Sequence, residues 1–221
     1  MARKDTGLLI VVSGFSGAGK GSIMKKLLQE HKDQYALSIS ATTRGPRTGE
    51  TNGKEYFFVD DASFARMIEQ EELIEYARYV NHYYGTPKKY VQEQQRLGKD
   101  VILEIEIQGA LKVKQKYPDT LLLFVTPPSA QELKNRLVGR GTEDAATIQS
   151  RMMRAIEEAE GMDAYDYLIV NDDLDECVDQ VHEIIQSEHS RISRRRAMVH
   201  DIKKELSDFV MSMPKQTTQE P

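Results

Sequence analysis

The feature that most constrains the fold is a glycine-rich segment, Gly14–Lys20, whose residues GFSGAGK match the pattern G-x-x-x-x-G-K. It follows an apolar run, Leu8–Val12, which predicts a strand buried on both faces. It precedes Ser22–Leu28, where apolar residues recur at helical spacing. Strand, glycine turn and helix in this order are the context of a phosphate-binding loop. The alternative for Lys20 is a solvated lysine beside a glycine turn, which the flanking elements disfavour.

The residue types of this segment suit the binding of an anion. Gly14, Gly17 and Gly19 can adopt positive φ and let the backbone approach a phosphate closely. The positive end of the following helix and the Lys20 ammonium add charge of the right sign. The other predicted members of the loop are Phe15, Ser16, Ala18, Gly21 and Ser22.

One position departs from the usual pattern, in which Ser or Thr follows the lysine and its hydroxyl reaches Mg²⁺. Here Gly21 stands at that position and Ser22 comes next. We expect Ser22 to take the hydroxyl role, either directly or through a water molecule.

Composition narrows the class of protein. A chain of 221 residues with 39% hydrophobic and 29% charged residues predicts a globular protein of one domain with insertions, or at most two small domains. A net charge of −5 disfavours nucleic acid and anionic membranes as partners. The single cysteine, Cys177, predicts a core residue in a reducing compartment. No apolar run approaches the roughly 18 residues of a membrane helix, and no signal peptide is expected before the first strand.

A polar loop, residues 41–50, contains Arg44 and Arg47 around Pro46 and is called the arginine loop below. Two arginines on a stiffened loop suit bidentate capture of a phosphate. The alternative is an exposed basic loop without a ligand.

Two later parts of the chain contain candidate charged residues. Residues 100–109 predict a strand with Glu104 and Glu106 on one face, near the carboxyl end of a parallel sheet, where a carboxylate can hold hydrated Mg²⁺ or contact substrate. An edge strand with one wet face is the alternative. Arg136, Arg140 and Arg151 flank a glycine-containing stretch and predict a lid that closes on phosphates, with ordinary surface charge as the alternative.

Strand-like and helix-like runs alternate along the chain, which predicts an α/β fold with a mainly parallel central sheet. Residues 81–86 are predicted as a turn, and the last helix is predicted to continue into the arginines at 191–196.

Taken together, the motifs resemble guanylate kinase, over about residues 8–188. The resemblance depends on the phosphate loop, the arginine loop with its neighbours and four shorter segments, 52–57, 83–86, 106–109 and 169–172, together with 136–142. It implies a P-loop kinase fold with an inserted GMP-binding subdomain and a mobile lid. It also implies a cytoplasmic enzyme that moves a phosphoryl group from ATP to GMP with Mg²⁺, and uses dGMP less well.

The resemblance implies boundaries and roles. The domain would span 1–190, with a core of about 1–40, 100–138 and 163–190, an insert of 41–99 and a lid of 139–162; a basic helix end and polar tail would fill 191–221. Residues 14–22 and Asn171 would bind ATP, with Lys20, Arg44, Arg136, Arg140 and Arg151 as the catalytic cations. The predicted GMP site consists of Ser40, Arg44, Arg47, Tyr56, Glu75, Tyr84, Thr86 and Glu106.

Several points stay open at the level of sequence. Glu104 and Glu106 could contact Mg²⁺, base or ribose. The acceptor could be another nucleotide, although a carboxylate at Glu75 suits the paired N–H donors of guanine. The chain could instead be a non-catalytic guanylate-kinase-like binding module, which an intact phosphate loop disfavours. A monomer and a homo-oligomer are both compatible with the sequence.

Overall fold

A five-stranded, wholly parallel sheet carries the phosphate loop. The computed structural model describes residues 6–79, 81–139 and 145–213. The strands are β1 (Leu9–Gly14), β2 (Tyr35–Leu37), β3 (Ala41–Thr42), β4 (Phe57–Phe58), β5 (Leu73–Tyr79), β6 (His82–Pro87), β7 (Asp100–Glu104), β8 (Leu121–Thr126) and β9 (Tyr167–Val170). The helices are α1 (Lys20–Glu30), α2 (Asp61–Glu69), α3 (Lys88–Arg96), α4 (Ile107–Lys116), α5 (Ala130–Val138), α6 (Ala145–Ala159), α7 (Leu174–Glu188) and α8 (Arg196–Ser212).

The order of the parallel sheet is β2-β7-β1-β8-β9. The central strand β1 pairs with β7 on one side and β8 on the other, and helices α1 and α4 contact it. This position explains why β1 is continuously apolar, and Ile10 and Val11 have no exposed surface. The α/β fold with a mainly parallel sheet, predicted from the sequence, is confirmed.

Because the strands are parallel, their carboxyl ends meet at one edge of the sheet. The phosphate loop follows β1, Glu104 ends β7, and Asn171 follows β9. The sheet therefore brings three separate parts of the sequence to one edge.

A smaller four-stranded sheet, ordered β4-β3-β6-β5, lies within residues 41–87. Phe64 from α2 is fully buried against it with Ala41 and Leu73. A second cluster joins Ile74 of β5 and Val91 of α3 to Val11 and Leu103 of the parallel sheet. The small sheet is thus packed on the large one through apolar side chains.

The prediction of a turn over residues 81–86 is wrong. Asn81 does occupy a turn, with φ 66°, but the next residues form β6, antiparallel to β5. Tyr83 and Tyr84 pair with Arg78 and Ala77, because aromatic residues fit a strand better than a turn.

The predicted strand over residues 100–109 is too long. β7 ends at Glu104 and α4 begins at Ile107, so Glu106 immediately precedes a helix and does not share a strand face with Glu104. The buried residues Ile107, Ala110 and Val113 recur every three positions, which is the helical signal in this segment.

The last predicted helix also ends earlier. α7 stops at Glu188, whose buried carboxylate pairs with Arg191 and Arg194, each at 3.2 Å, and the residues that follow form turns. A separate helix, α8, follows in the region predicted as a polar tail. The chain divides into two compact units, Met1–Gln180 and Val181–Pro221. In the part of the chain that the structure describes, no helix combines the length and apolar character needed to cross a membrane.

Candidate active site

The phosphate loop has the backbone that its glycines allow. Gly14, Gly17 and Gly19 have φ of 149°, 95° and 93°. A Cβ at Gly14 would lie 2.1 Å from the Val125 carbonyl oxygen, and one at Gly19 would lie 2.3 Å from the Asn171 amide nitrogen. These glycines are therefore required both for conformation and for space.

Lys20 begins α1 and its side chain curls back over the loop. Its Nζ donates to the carbonyl oxygens of Gly14, at 2.6 Å, and Phe15, at 3.1 Å. Gly21 has open space around it, and Ser22 is exposed in the first turn of α1. A cationic group, a helix N-terminus and an exposed hydroxyl thus lie at one end of the loop.

Two sets of contacts attach the phosphate loop to the rest of the protein. The buried Asn171 donates from Nδ2 to the carbonyl oxygen of Ala18 at 2.7 Å. Phe15 meets Phe124 of β8 edge to face at 5.1 Å and packs on Leu133 and Leu137 of α5. The loop is therefore anchored to β8, β9 and α5.

Two of the predicted lid arginines contact this assembly. Arg136 donates from Nε to Glu132, at 2.8 Å, and from Nη2 to the carbonyl oxygen of Asn171, at 2.9 Å. Arg151 of α6 donates from Nη1 to the hydroxyl of Ser16 at 3.2 Å. Arg140 lies outside the described residues.

Glu104 lies beside the loop, since it is paired in register with Val12 of β1. Loss of hydration raises the pKa of its carboxyl group, and the nearby charge of Lys20 acts in the opposite direction. Glu106 behaves differently, because its carboxylate forms an ion pair with Arg154 of α6 at 2.9 Å. The segment between them is fixed by Ser13, whose hydroxyl donates to the carbonyl oxygen of Ile105 at 2.7 Å.

The arginine loop is held by one acidic residue. Glu50 accepts a hydrogen bond from Arg44 Nη2 at 2.9 Å and another from the backbone N–H of Arg47 at 2.8 Å. Arg44 also lies over the rings of Tyr56 and Phe58, at 5.3 and 5.8 Å. The Arg44 guanidinium lowers the pKa of Glu50, and the side chain of Arg47 is left exposed.

The strands β5 and β6 bring Glu75 and Thr86 together. The Thr86 hydroxyl, which has no exposed surface, donates to Glu75 Oε1 at 2.7 Å. Loss of hydration raises the pKa of Glu75, because this hydrogen bond replaces only part of the lost water. The Glu75 carboxylate lies close to the backbone of Gly109 in α4, since a Cβ at Gly109 would be 3.5 Å from Glu75 Oε2.

Two aromatic residues, Tyr56 and Tyr84, lie beside Arg44 of the arginine loop. Tyr84, on β6, meets the ring of Tyr56 at 6.0 Å. Ser40 precedes β3 and accepts a hydrogen bond from the backbone of Phe57 at 2.9 Å. The structure therefore gathers a cationic, aromatic-lined site and an acidic site on the small sheet.

Comparison with known proteins identifies the family. The family model described as guanylate kinase matches residues 6–188. The chain belongs to the guanylate kinase family. It is 48% identical to the guanylate kinase of Caldanaerobacter subterraneus subsp. tengcongensis over 205 residues, 93% of this chain and 99% of that protein. It is also 48% identical to that of Bacillus subtilis over 191 residues, which are 86% and 94% of the two chains.

A solved guanylate kinase has the same fold. The crystal structure of guanylate kinase from Anaplasma phagocytophilum aligns with a TM-score of 0.66 and 32% identity, over 86% of this chain and 90% of that one. The resemblance inferred from the sequence motifs is confirmed at the level of the family.

Two residues of this guanylate kinase site were not predicted from sequence. Glu50 ends the arginine loop, and its position three residues after Arg47 is a typical distance for a side chain that closes a turn. Arg154 ties α6 to Glu106 and also pairs with Glu158 at 3.1 Å. The i, i+4 spacing of Arg154 and Glu158 was visible in the sequence, whereas the contact with Glu106 depends on tertiary structure.

Cys177 is not part of the site. It is buried, and loss of hydration raises the pKa of its thiol to about 11. The prediction of a core cysteine is confirmed, since a thiol with this pKa is a poor nucleophile at neutral pH.

Proposed function

We propose that the chain is a guanylate kinase that transfers the γ-phosphoryl group of ATP to GMP, giving ADP and GDP, in purine metabolism and GMP recycling. The observation that carries the proposal is the coexistence of an intact phosphate loop around Lys20 with the Glu75–Thr86 pair on the small sheet. A binding module needs no phosphate loop, and a kinase for adenine or pyrimidine nucleotides has no use for a carboxylate at Glu75.

ATP would bind at the carboxyl edge of the parallel sheet. Its phosphates would lie against the backbone of residues 14–22, and Lys20 would exchange two carbonyl partners for phosphate oxygens. Arg151 is already hydrogen-bonded to Ser16 of this loop, and Arg136 to Asn171, which supports the loop, so both guanidinium groups are close to where negative charge accumulates. Asn171 would support the loop through Ala18 and lie near the adenine.

GMP would bind on the small sheet. Arg44 and Arg47, with the hydroxyls of Tyr56 and Tyr84, would hold its phosphate, and Arg44 is pre-positioned for this by Glu50. Glu75 would accept hydrogen bonds from N1–H and the exocyclic amine of guanine, with Thr86 and Ser40 completing the base site. Adenine presents no such pair of donors, so the Glu75 carboxylate would be left unpaired against it.

The residues at the sheet edge fit Mg²⁺. The described residues contain no cluster of three or more acidic, histidine or cysteine side chains that could hold a metal alone. A single carboxylate at Glu104 and the hydroxyl of Ser22 match the way Mg²⁺ is bound through few protein oxygens and the substrate phosphates. When bound with ATP, Mg²⁺ neutralises charge on the phosphate oxygens. Glu106 is the less suitable ligand, because Arg154 neutralises it.

Catalysis would follow from positioning and charge. Both substrates are anions, so the reacting phosphates repel until Lys20 and the arginines compensate for their charge. A GMP phosphate oxygen attacks the γ-phosphorus of ATP, the bond to the β-phosphate oxygen breaks, and ADP leaves. No side chain acts as a nucleophile. Closure of the lid would exclude water, which would otherwise accept the phosphoryl group. We also propose a cytoplasmic location, where both nucleotides are available.

The proposal is tested by offering ATP and Mg²⁺ with GMP, dGMP, AMP, UMP or dTMP and measuring ADP formation. We expect strong turnover with GMP, weaker turnover with dGMP and negligible turnover with the others. Preference for another acceptor would preserve the kinase and refute the role of Glu75. No turnover with any acceptor, in folded protein, would favour the binding module.

A further inference from the structure

Gly109 is a glycine that the fold itself does not require. It is the third residue of α4, and its φ lies outside the left-handed region that favours glycine. A Cβ added there would lie 3.4 Å from Ile105 Cδ1 and 3.5 Å from Glu75 Oε2, which are ordinary van der Waals distances. At Gly161, by contrast, a Cβ would lie only 2.7 Å from Ile107. Alanine would therefore fit at position 109 in both conformation and space.

A glycine at this position weakens the helix. Alanine is the most favourable residue in a helix and glycine is among the least, because glycine loses the most backbone entropy on folding. Glycine is retained where φ is positive, where two parts of the chain touch, or where a ligand approaches the backbone closely. The first two reasons do not apply to Gly109, and its surface is only half-buried. The third reason indicates that a ligand comes close to this backbone.

The neighbouring carboxylate indicates which ligand this is. Glu75 accepts the Thr86 hydroxyl at Oε1, at 2.7 Å, whereas Oε2 is the oxygen that lies beside Gly109. In the proposed function, on which this inference rests, the Glu75 carboxylate accepts hydrogen bonds from N1–H and the exocyclic amine of guanine. One of these two donors is therefore bound beside Gly109.

The hydroxyl groups of the site determine which donor it is. By the register of the small sheet, Ser40, Thr86 and Glu75 lie side by side across β3, β6 and β5. Opposite residues of antiparallel strands project from the same face, so both hydroxyls lie on the Oε1 side of the carboxylate. Guanine presents the O6 acceptor, N1–H and the exocyclic amine in that order along one edge. O6 needs a donor, which the hydroxyls supply, so N1–H pairs with Oε1 and the amine with Oε2.

We propose that Gly109 determines specificity for the exocyclic amine of guanine, because it leaves space beside Glu75 Oε2 that a side chain would fill. The amine supplies the second hydrogen bond to the carboxylate. Hypoxanthine, which has O6 and N1–H but no amine, leaves Oε2 unpaired. Gly109 thereby lets the site distinguish GMP from IMP, and a methyl group at this position would keep the amine away from Oε2.

The test combines Gly109→Ala with two nucleotides, GMP and IMP, that differ only in this amine. The KM for GMP and the inhibition constant of IMP, as a competitor of GMP, are measured in the wild-type protein and in the variant. We expect the wild-type protein to bind GMP about 100-fold more tightly than IMP. Gly109→Ala should raise the KM for GMP by about 10-fold or more, and should change the IMP constant and the KM for ATP by less than about threefold.

Thermal unfolding separates this role from damage to the fold. Because alanine favours a helix, Gly109→Ala should unfold at or above the wild-type temperature while it loses affinity for GMP. The matched control is Gln115→Ala, at an exposed position on the same helix, which should leave both nucleotide constants unchanged.

Any of three outcomes would overturn the proposal: an unchanged KM for GMP in Gly109→Ala, equal losses for GMP and IMP, or the same loss in Gln115→Ala. The first would show that the space beside Oε2 is not used. The second would show that the methyl group displaces the whole base rather than its amine. If the wild-type protein does not phosphorylate GMP, the proposed function fails and this role with it, whereas any of the three outcomes in an active wild-type enzyme refutes only the role of Gly109.

Discussion

At the scale of single residues, the side chain of Lys20 is fixed by the backbone of its own loop. Its ammonium group is bonded to the carbonyl oxygens of Gly14 and Phe15, both within the loop that it would serve. We expect Lys20→Ala to lower kcat by about 100-fold or more, because it removes a positive charge that would neutralise the phosphate oxygens. Steady-state ADP release measures the effect.

The control for this substitution is Lys25→Ala, an exposed lysine on the same helix. It should leave kcat unchanged, and both variants should unfold near the wild-type temperature. Near-normal turnover in Lys20→Ala would show that the phosphate loop takes no part in the reaction.

Glu75 combines a functional role with a cost to stability. Its pKa is raised by burial, so the folded protein binds a proton at this site more tightly than the unfolded chain does. The ionised carboxylate is the form that would accept the guanine N–H groups. We therefore expect the KM for GMP to rise as the pH falls below neutral, and Glu75→Gln to raise it by about 10- to 100-fold at neutral pH with little change in the KM for ATP.

Glu75→Gln is expected to weaken GMP binding but to stabilise the folded protein. The penalty of burying the charge is present above the raised pKa and disappears as the pH falls below the unfolded-state pKa. Glu75→Gln should therefore raise the thermal midpoint of the ligand-free protein by a few degrees at neutral pH, with a gain that shrinks in acid. Equal losses for GMP and ATP, or a lowered midpoint, would show that the role of Glu75 is misassigned.

At the scale of elements, α6 presents two arginines to two different partners. Arg151 reaches Ser16 in the phosphate loop, whereas Arg154, three residues later, reaches Glu106 before α4. We expect Arg151→Met to lower kcat by about 100-fold, because its charge would act on the transferred phosphoryl group. Arg154→Met should change kcat less than about fivefold, since the Arg154–Glu106 pair is exposed and weak.

These two variants are matched in helix, residue type and chemistry, so their ratio of kcat values reports position alone. A comparable loss of kcat in both variants would mean that the position of α6 as a whole matters, rather than the charge of Arg151. A small loss in both would exclude α6 arginines from the chemical step.

The end of β7 could not be predicted from local sequence. The apolar residues of β7 predicted a strand correctly, but the strand stops at Glu104 and the chain enters α4. The buried spacing of Ile107, Ala110 and Val113 was present in the sequence, yet short apolar runs are ambiguous between strand and helix. Burial of these three residues against the sheet selects the helix.

At the scale of the whole molecule, stability depends on the central strand that carries the loop. Ile10 has no exposed surface and lies on β1, between β7 and β8. We expect Ile10→Ala to lower the free energy of unfolding by about 2–5 kcal/mol, because it leaves a cavity between the sheet and its helices. Chemical denaturation followed by circular dichroism measures this change.

Leu97→Ala is the comparison, since Leu97 is 57% exposed at the end of α3. Its effect should stay within about 0.5 kcal/mol. If the two substitutions cost the same, the parallel sheet would not be the stabilising core that its burial indicates.

The α/β class, the family and the residue types of the site follow from the sequence alone, because they depend on patterns that are local along the chain. Gly14–Lys20 between a strand and a helix is such a pattern, and so is the arginine loop. The roles assigned to individual side chains, among them Arg47 and Ser22, stay predictions until substrates are bound.

Which distant groups meet depends on the tertiary structure. The Thr86–Glu75 hydrogen bond needs the antiparallel pairing of β6 with β5, in a segment for which the sequence predicts a turn. The Arg154–Glu106 pair and the support of Ala18 by Asn171 join residues 48 and 153 positions apart. Such contacts are set by strand order and by the packing of helices on the sheet, and no local propensity encodes them.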